Sequence, residues 1–509
     1  MTRDLVIGID SSTSATKAIA WDNQGRAVAQ GRAPVALSNP QPGFFEQDPA
    51  EWWTSTVSAL KQVAASIDTQ RVAAVAISNQ RETFALFKSD GRAIRPGTTW
   101  LDQRAFSQVQ RFGEKFGKER LHAISGKPLD VTPCLFRFLW HAEHEPALFR
   151  SADIFADVNA FITFHLIGEW ATPVASADPL GMVDMARMSW SGEILEAADI
   201  DPRRLPRLVR AGAPLGELTT QAAEATGLPA RTVVIAGGGD GQCAATGAGL
   251  LTSGGAYINL GTAVVSGVYG RSYAHDPAFR TETAVADEGY IFETCLRAGT
   301  FLIDWFVRGL LGVESARQSE VIERLERDAG QSPIGAGGVL VIPYWQGCMN
   351  PYWDSAARGI IAGLSGSTRR GDIYRAMLEG IAVECGNASD RVVAVTGLPI
   401  DCLVAVGGGA VSDLWNQLLA DVCGRPVVRS STVEASSLGA AMAAAKGAEW
   451  FPSIAAASAA MAGQPVSTFT PDPQRAARYA EFKALFADLW PAIAEWNRRL
   501  VAFTERQAG

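Results

Sequence analysis

Three short turns in this sequence carry residue types that hold phosphate, and one carboxylate stands where it can take a proton. The first turn is Asp10-Ser11-Ser12-Thr13-Ser14-Ala15-Thr16-Lys17. Asp10 ends an apolar run, where a carboxylate can hold a magnesium ion through water. The small hydroxyl residues after it, Thr13 and Ser14 among them, and their backbone N–H groups can cradle phosphate oxygens. Lys17 adds a positive charge. The GxxxxGK[ST] spacing is absent, so this is not a Walker loop. The second turn, Leu260-Gly261-Thr262-Ala263, follows a similar apolar run. The third, Gly407-Gly408-Gly409-Ala410, leads into a helical pattern, where glycines admit a ligand close to the backbone and a helix N-terminus favours anions. Each turn alone reads equally as a polar hairpin or a tight strand-to-helix turn. Together they gain weight, because a triphosphate needs donors from two sides.

Asp240 follows Gly237-Gly238-Gly239, which places a carboxylate at a strand end on the rim of a cleft. It reads also as a helix N-cap, and the two roles are compatible. Asn79-Gln80-Arg81-Glu82-Thr83 ends another apolar run, and its amide and charged groups suit the hydroxyls of a polyol. A solvated turn is the plain alternative. Trp100, Asp102 and Arg104 follow nearby. Of 14 tryptophans most must pack the core, so Trp52 and Trp53 are expected there rather than on a sugar.

The elements that position these residues are legible in part. LVIGID, AIAWD and RAVAQGRAPVAL are joined by connections too short for a crossover helix, so they open the chain as a β-meander. A helix follows at DPAEWWTSTVSALKQVAASI, with Asp48 as N-cap, Pro49 at its first position and Glu51 completing a capping box. VAAVAISNQ is a buried strand. Residues 101–231 read as mostly helical with irregular links. TVVIAGGGDG is a strand ending in a glycine turn. GAYINLGTAVVSGVYG repeats the opening strand–turn–strand, and CLVAVGGGAVSDLWNQLLADVCG reads strand, turn, helix. The tail is an amphipathic helix interrupted near Pro491. The recurrence predicts two similar halves facing one nucleotide, divided near residue 250 in Ala248-Gly249-Leu250-Leu251-Thr252-Ser253-Gly254-Gly255.

Composition bounds the function classes. The chain has 509 residues, enough for two to four domains, with 47% hydrophobic and 19% charged residues. A net charge of −8 does not suit a nucleic-acid or anionic-membrane binder. No signal peptide and no run of about 20 apolar residues is visible. Seven scattered cysteines without a CxxC pair, and five histidines without ligand spacing, read as reduced thiols in a cytoplasmic protein.

Taken in order, GIDSSTSATK, EQDPAEWW, ISNQRET, TTWLDQR, GGGDGQ, INLGT and GGGAVSDLWNQLLAD resemble the FGGY carbohydrate kinases over nearly the whole chain. The most specific piece is Gly359-Ile360-Ile361-Ala362-Gly363-Leu364, then seven residues, then Asp372 to Glu379, which fits that family's C-terminal pattern. The resemblance implies an α/β protein of two actin-like, ribonuclease H-like lobes, residues 1–250 and 251–509, with ATP and substrate in the central cleft. It places Asp10 near Mg²⁺ and assigns Thr13, Ser14, Lys17, Gly261, Thr262, Gly299, Gly408, Gly409, Ala410 and Asp413 to the nucleotide. Asp240 would take the proton from the attacking hydroxyl, with Gln80, Arg81, Glu82, Gly241 and Gln242 around a small sugar or polyol.

Several positions depart from the family's subgroups. Arg137, in VTPCLFR, stands where lysine is usual. Glycerol kinases share NQRET, but they follow the base directly with glutamine, whereas Gly241 intervenes here, and a tyrosine they place before that lysine is missing. Xylulose kinases share EQDPAEWW and GGGD, but their Met-His pair is replaced by Arg81-Glu82. A ketopentose such as xylulose is the first expectation, and glycerol or a four- to five-carbon polyol the second. An actin-like ATPase switch is the rival of another class. A homodimer would be unsurprising, though no interface is legible.

Overall fold

The computed structural model describes residues 3–251, 254–432 and 434–508, with side chains described to residue 504. Thr252 and Ser253, in the expected boundary, lie outside the described residues. Two mixed sheets organise the chain.

The first begins with the expected meander: β1 (Leu5–Ser11), β2 (Ala15–Trp21) and β3 (Ala27–Pro34) pair antiparallel. After helix α1 (Pro49–Ala64) the fully buried strand β4 (Val72–Asn79) pairs parallel with β1. Edge strand β5 (Pro214–Glu217) and then β6 (Val233–Gly239) complete the order β5-β6-β4-β1-β2-β3. Helix α2 (Asp240–Gly247) starts directly from β6. The three glycines are the end of the strand rather than a turn after it. The N-cap is Gly239, so Asp240 is the first helical residue and not the cap.

The second sheet contains β7 (Gly255–Leu260), β8 (Val264–Gly270), β9 (Arg280–Thr283) and β10 (Tyr290–Leu296). After the long helix α3 (Arg370–Thr396) come β11 (Cys402–Val406), α4 (Asp413–Cys423), β12 (Val427–Ser430), α5 (Ala435–Gly447), β13 (Pro465–Phe469) and α6 (Pro473–Ala508). The order β9-β10-β8-β7-β11-β12-β13 repeats the first sheet strand for strand, in the same directions, with β9 as an added edge. This is the duplicated, two-lobed α/β architecture expected above.

The division is not clean at the packing level. Helix α5 follows β12 of the second sheet, yet it packs on β1, β4 and β6 of the first and crosses α2. Glycines permit that crossing: a Cβ at Gly439 would fall 1.9 Å from Cys243 O, and one at Gly247 would fall 2.1 Å from Ala435 O. The apolar cluster between the lobes draws on both sheets, with Val6, Ile235 and Cys243 meeting Tyr257, Ile291 and Leu438.

Two local expectations are corrected. Asp48 caps α1 by accepting from Ala50 N–H, but Glu51 does not close a capping box; its Oε2 accepts from Ala36 N–H at 2.7 Å and ties the preceding loop to the helix. Pro491 does not interrupt the last helix, which runs through it. The hydrogen bond lost at proline is outweighed by burial on either side, where Tyr479, Phe486, Trp490 and Ala494 pack into the second lobe's core. Trp52 is fully buried in the first core, and Trp53 stacks on His165, so neither faces the cleft.

Candidate active site

The register of the first sheet brings three strand ends to one edge. Asp10 lies opposite Lys17 on β2 and Ser78 on β4, and Ser78 and Asn79 lie opposite Gly238 and Gly239 on β6. Asp10, the Asn79–Thr83 segment and Asp240 are therefore neighbours. The second sheet does the same: Asn259 on β7 pairs with Val406 on β11, so Gly261-Thr262 and the Gly407–Ala410 turn stand side by side. Gly407 has φ +88°, and a Cβ there would fall 2.2 Å from Asn259 Oδ1. Gly299 donates its N–H to Thr262 O at 2.9 Å, which joins it to the same turn.

In the first turn, Thr13 Oγ1 accepts from Trp100 Nε1 at 2.8 Å, and Thr13 O accepts from Gln47 Nε2 at 2.7 Å. Trp100 is 43% exposed, its ring beside the turn. Gln80 does not join the substrate group: its Nε2 donates to Gln47 Oε1 at 2.8 Å, so it braces the Thr13 turn from beneath. Ser14 is exposed. Lys17 Nζ is held by Glu434 at 2.7 Å, across the lobes. Asp413 sits at the rim, 80% exposed and 2.5 Å from Arg429, which also donates to Ala410 O.

The two carboxylates differ in setting. Asp10 is 9% exposed and accepts from Ser78 Oγ at 3.1 Å. Lost hydration and then the charge of Asp240 push its pKa up to about 7, against the pull of Ser78 and Lys17. Asp240 keeps 37% of its side chain exposed. Its Oδ1 accepts from Gly241 N–H at 2.8 Å and from Arg81 Nε at 3.1 Å, while Oδ2 has no partner among the described residues. Its pKa is raised, by lost hydration first, with Arg81 opposing; solvent at the cleft moderates that shift. Among the described residues no three His, Cys, Asp or Glu side chains form a metal cluster. Asp10, with hydroxyls beside it, fits a hard cation that arrives with phosphate and water as its other ligands, which is how Mg²⁺ is commonly held.

Behind Asp240 lies a buried ionic network. Arg81 Nη1 meets Glu293 at 3.0 Å, Arg280 Nε meets Glu293 at 2.7 Å, and Arg280 Nη1 meets Glu82 at 2.7 Å. Lys127 Nζ meets Glu282 at 3.0 Å. Burial opposes ionisation of Glu282, but Lys127, Arg280 and Arg81 outweigh it and hold the carboxyl at about 2. Gln242 is buried and donates to Ala175 O at 2.9 Å, so it supports this layer rather than the cleft. Gly241 leaves room for Arg81: a Cβ there would fall 2.8 Å from Arg81 Cζ. Arg280, Glu282 and Glu293 are not among the residues that the sequence singles out. Their signal was charged residues in RTETAV and YIFETCL, short β-prone runs where a charge on the inner face needs a partner.

Arg137 has a distinct task. Fully buried, it donates to Asp102 O, Glu82 O and Thr132 O, clamping three loops behind the site. A lysine keeps the charge but cannot span three carbonyls with one nitrogen. Arg137→Lys should lower stability by about 2 kcal/mol or more, read from the denaturant midpoint. The segment most specific to the family pattern is scaffold as well. Glu379 on α3 accepts from Arg375 Nε at 2.8 Å and from Tyr479 Oη at 2.7 Å, tying α3 to α6.

A model of the FGGY family of carbohydrate kinases, N-terminal domain, matches residues 5–247, and the C-terminal domain of that family matches residues 256–448. The xylulose kinase of Bacillus subtilis is 30% identical over 505 residues, covering 98% of this chain and 99% of its own. The glycerol kinase of Aromatoleum aromaticum is 32% identical over 465 residues, covering 87% and 90%. The crystal structure of xylulose kinase from Rhodospirillum rubrum superposes with a TM-score of 0.90 at 26% identity, covering 97% and 99%. No helix among the described residues is long and apolar enough to cross a membrane.

Proposed function

This chain belongs to the FGGY family of carbohydrate kinases, and on that premise we propose that it phosphorylates a small neutral ketopentose, D-xylulose first, with Asp240 as the catalytic base. One observation carries the base assignment: Asp240 Oδ1 takes two hydrogen bonds while Oδ2 has no partner among the described residues, on a side chain that is partly exposed and close to Asp10. In the proposed reaction the substrate hydroxyl oxygen bonds to the γ-phosphorus of ATP as the bond to the β–γ bridging oxygen breaks. The hydroxyl proton passes to Asp240, leaving ADP and a sugar phosphate. Thr13, Ser14, Gly261 and Thr262 hold the phosphates, Gly299 braces the Thr262 turn through its N–H, Lys17 stands beside them paired with Glu434, and Gly408, Gly409 and Ala410 admit the rest of the nucleotide, with Asp413 near the rim. Mg²⁺, when bound, would neutralise phosphate charge, with Asp10 as the protein group that holds it. Residues 1–250 form the sugar lobe and 251–509 the nucleotide lobe.

Charge supports a neutral substrate. Arg81, Arg280 and Lys127 are each paired with carboxylates of the group Asp240, Glu82, Glu282 and Glu293. The arginines are thus already neutralised, and a sugar acid would meet Asp10 and Asp240 as well. The test is ADP release with D-xylulose, D-ribulose, xylitol, glycerol and gluconate. The ketopentoses should give the highest kcat/KM and gluconate none. Gluconate as best substrate would refute the charge argument, and stimulation by none would refute the sugar kinase reading. Glycerol is the second reading, favoured by Arg81-Glu82 and by the glycerol kinase relative.

A further inference from the structure

We propose that Glu293 is a positioning residue for phosphoryl transfer: by holding the Nη1 edge of Arg81 it limits that guanidinium to one contact with Asp240 and leaves Oδ2 open to the attacking hydroxyl. The inference rests on Asp240 as the proton acceptor.

A guanidinium beside a carboxylate prefers two parallel hydrogen bonds. Arg81 has the means, since Nε and Nη2 form one edge of its fork, and Nη2 has no partner among the described residues. Yet only Nε meets Asp240, at 3.1 Å on Oδ1. On the other side, Nη1 lies 3.1 and 3.0 Å from the two oxygens of Glu293. Glu293 is itself fixed: its side chain is fully buried, and Arg280 holds Oε1 from Nε at 2.7 Å and Nη2 at 2.6 Å. Arg280 and Glu293 are paired residues on the adjacent strands β9 and β10, so the anchor belongs to a sheet and not to a loop. The last wall is Gly241, where a Cβ would fall 2.8 Å from Arg81 Nη2 and 2.9 Å from Glu293 Oε2. Arg81 and Gly241, which pull the sequence towards different subgroups, are therefore one device. The glycine makes room for a guanidinium held off the base.

Without Glu293, Nη1 is released and Arg81 is free to turn until Nη2 joins Nε on Asp240, and both carboxylate oxygens are taken. Glu293→Gln keeps the volume and removes the charge. Its kcat should fall roughly 10²-fold, within the range a positioned proton acceptor contributes, while the KM values for sugar and ATP stay within about threefold. In an Arg81→Met enzyme, adding Glu293→Gln should change kcat by less than about threefold, because the residue acts only through Arg81. A Glu293→Gln enzyme with kcat within threefold of the parent, a loss shared by KM, or losses that multiply in the Arg81→Met background would overturn the proposal. If Glu293→Gln does not fold, Gly241→Ala presses the same guanidinium and should give the same split; unchanged kcat there overturns it equally. An active Asp240→Asn enzyme would sink the premise instead, and an inactive one beside a normal Glu293→Gln sinks this inference alone.

Discussion

Asp240→Asn should lower kcat by at least about 10³-fold and leave ATP binding within about threefold of the parent. The asparagine is isosteric, and its oxygen can still accept from Gly241 N–H and Arg81 Nε. What changes is the position of Oδ2, where an amide donor replaces the acceptor that faces the cleft. A positioned general base contributes about 10²–10⁴-fold, and here it also orients the hydroxyl, so a loss in the upper part of that range is expected. Among the described residues, the turns at Thr13 and Gly261 make no hydrogen bond to the Asp240 side chain, which is why nucleotide affinity should survive. Steady-state kinetics with xylulose, paired with calorimetric ATP titration, separates the two. Equal turnover in the variant would reject the base assignment.

Asp10→Asn should lose activity and gain stability. Burial and Asp240 hold the Asp10 carboxyl at about 7, far above its ordinary value of 3.8. The folded state therefore binds more protons than the unfolded state between those values. Stability falls as pH rises through that window, and the cost persists above it. The asparagine variant has no such cost. Its melting temperature should exceed the parent's at pH 8, and the difference should shrink as pH falls from 7 towards 4. Activity should move oppositely: the Mg²⁺ concentration for half-maximal rate should rise about 10–100-fold, as when a group supporting a metal is removed. In the parent, the KM for Mg·ATP should rise as pH falls below 7, and in the variant that dependence should vanish. A parent that is the more stable of the two at pH 8 would contradict the assigned environment.

How much of this was visible in the residues depends on where the deciding physics acts. Strand ends were legible, because an apolar run that stops at a carboxylate or a glycine reports its own boundary. Asp10, Asp240 and the turn at Gly261 were found in that way, and the repeated strand–turn–strand announced the duplicated fold. Side-chain direction after a strand end was not legible. Gln80 and Arg81 are adjacent, yet one braces the Thr13 turn and the other meets the base. Glu82, at φ +47°, turns the chain sharply just beyond them. The partners Arg280, Glu282 and Glu293 come from strands about 200 residues away in sequence, and only the packing of β9 and β10 against the first lobe brings them to Arg81. Pro491 follows the same logic: a local rule predicts a break, and tertiary burial overrides it.

The central claim is transfer to a hydroxyl rather than to water. Phosphorus NMR of the chain with Mg·ATP and D-xylulose tests it most directly. The account predicts a phosphomonoester resonance that grows one for one with ADP, with little inorganic phosphate. ADP appearing with inorganic phosphate alone, at a rate indifferent to every sugar or polyol supplied, would contradict it and mark the chain as an ATPase.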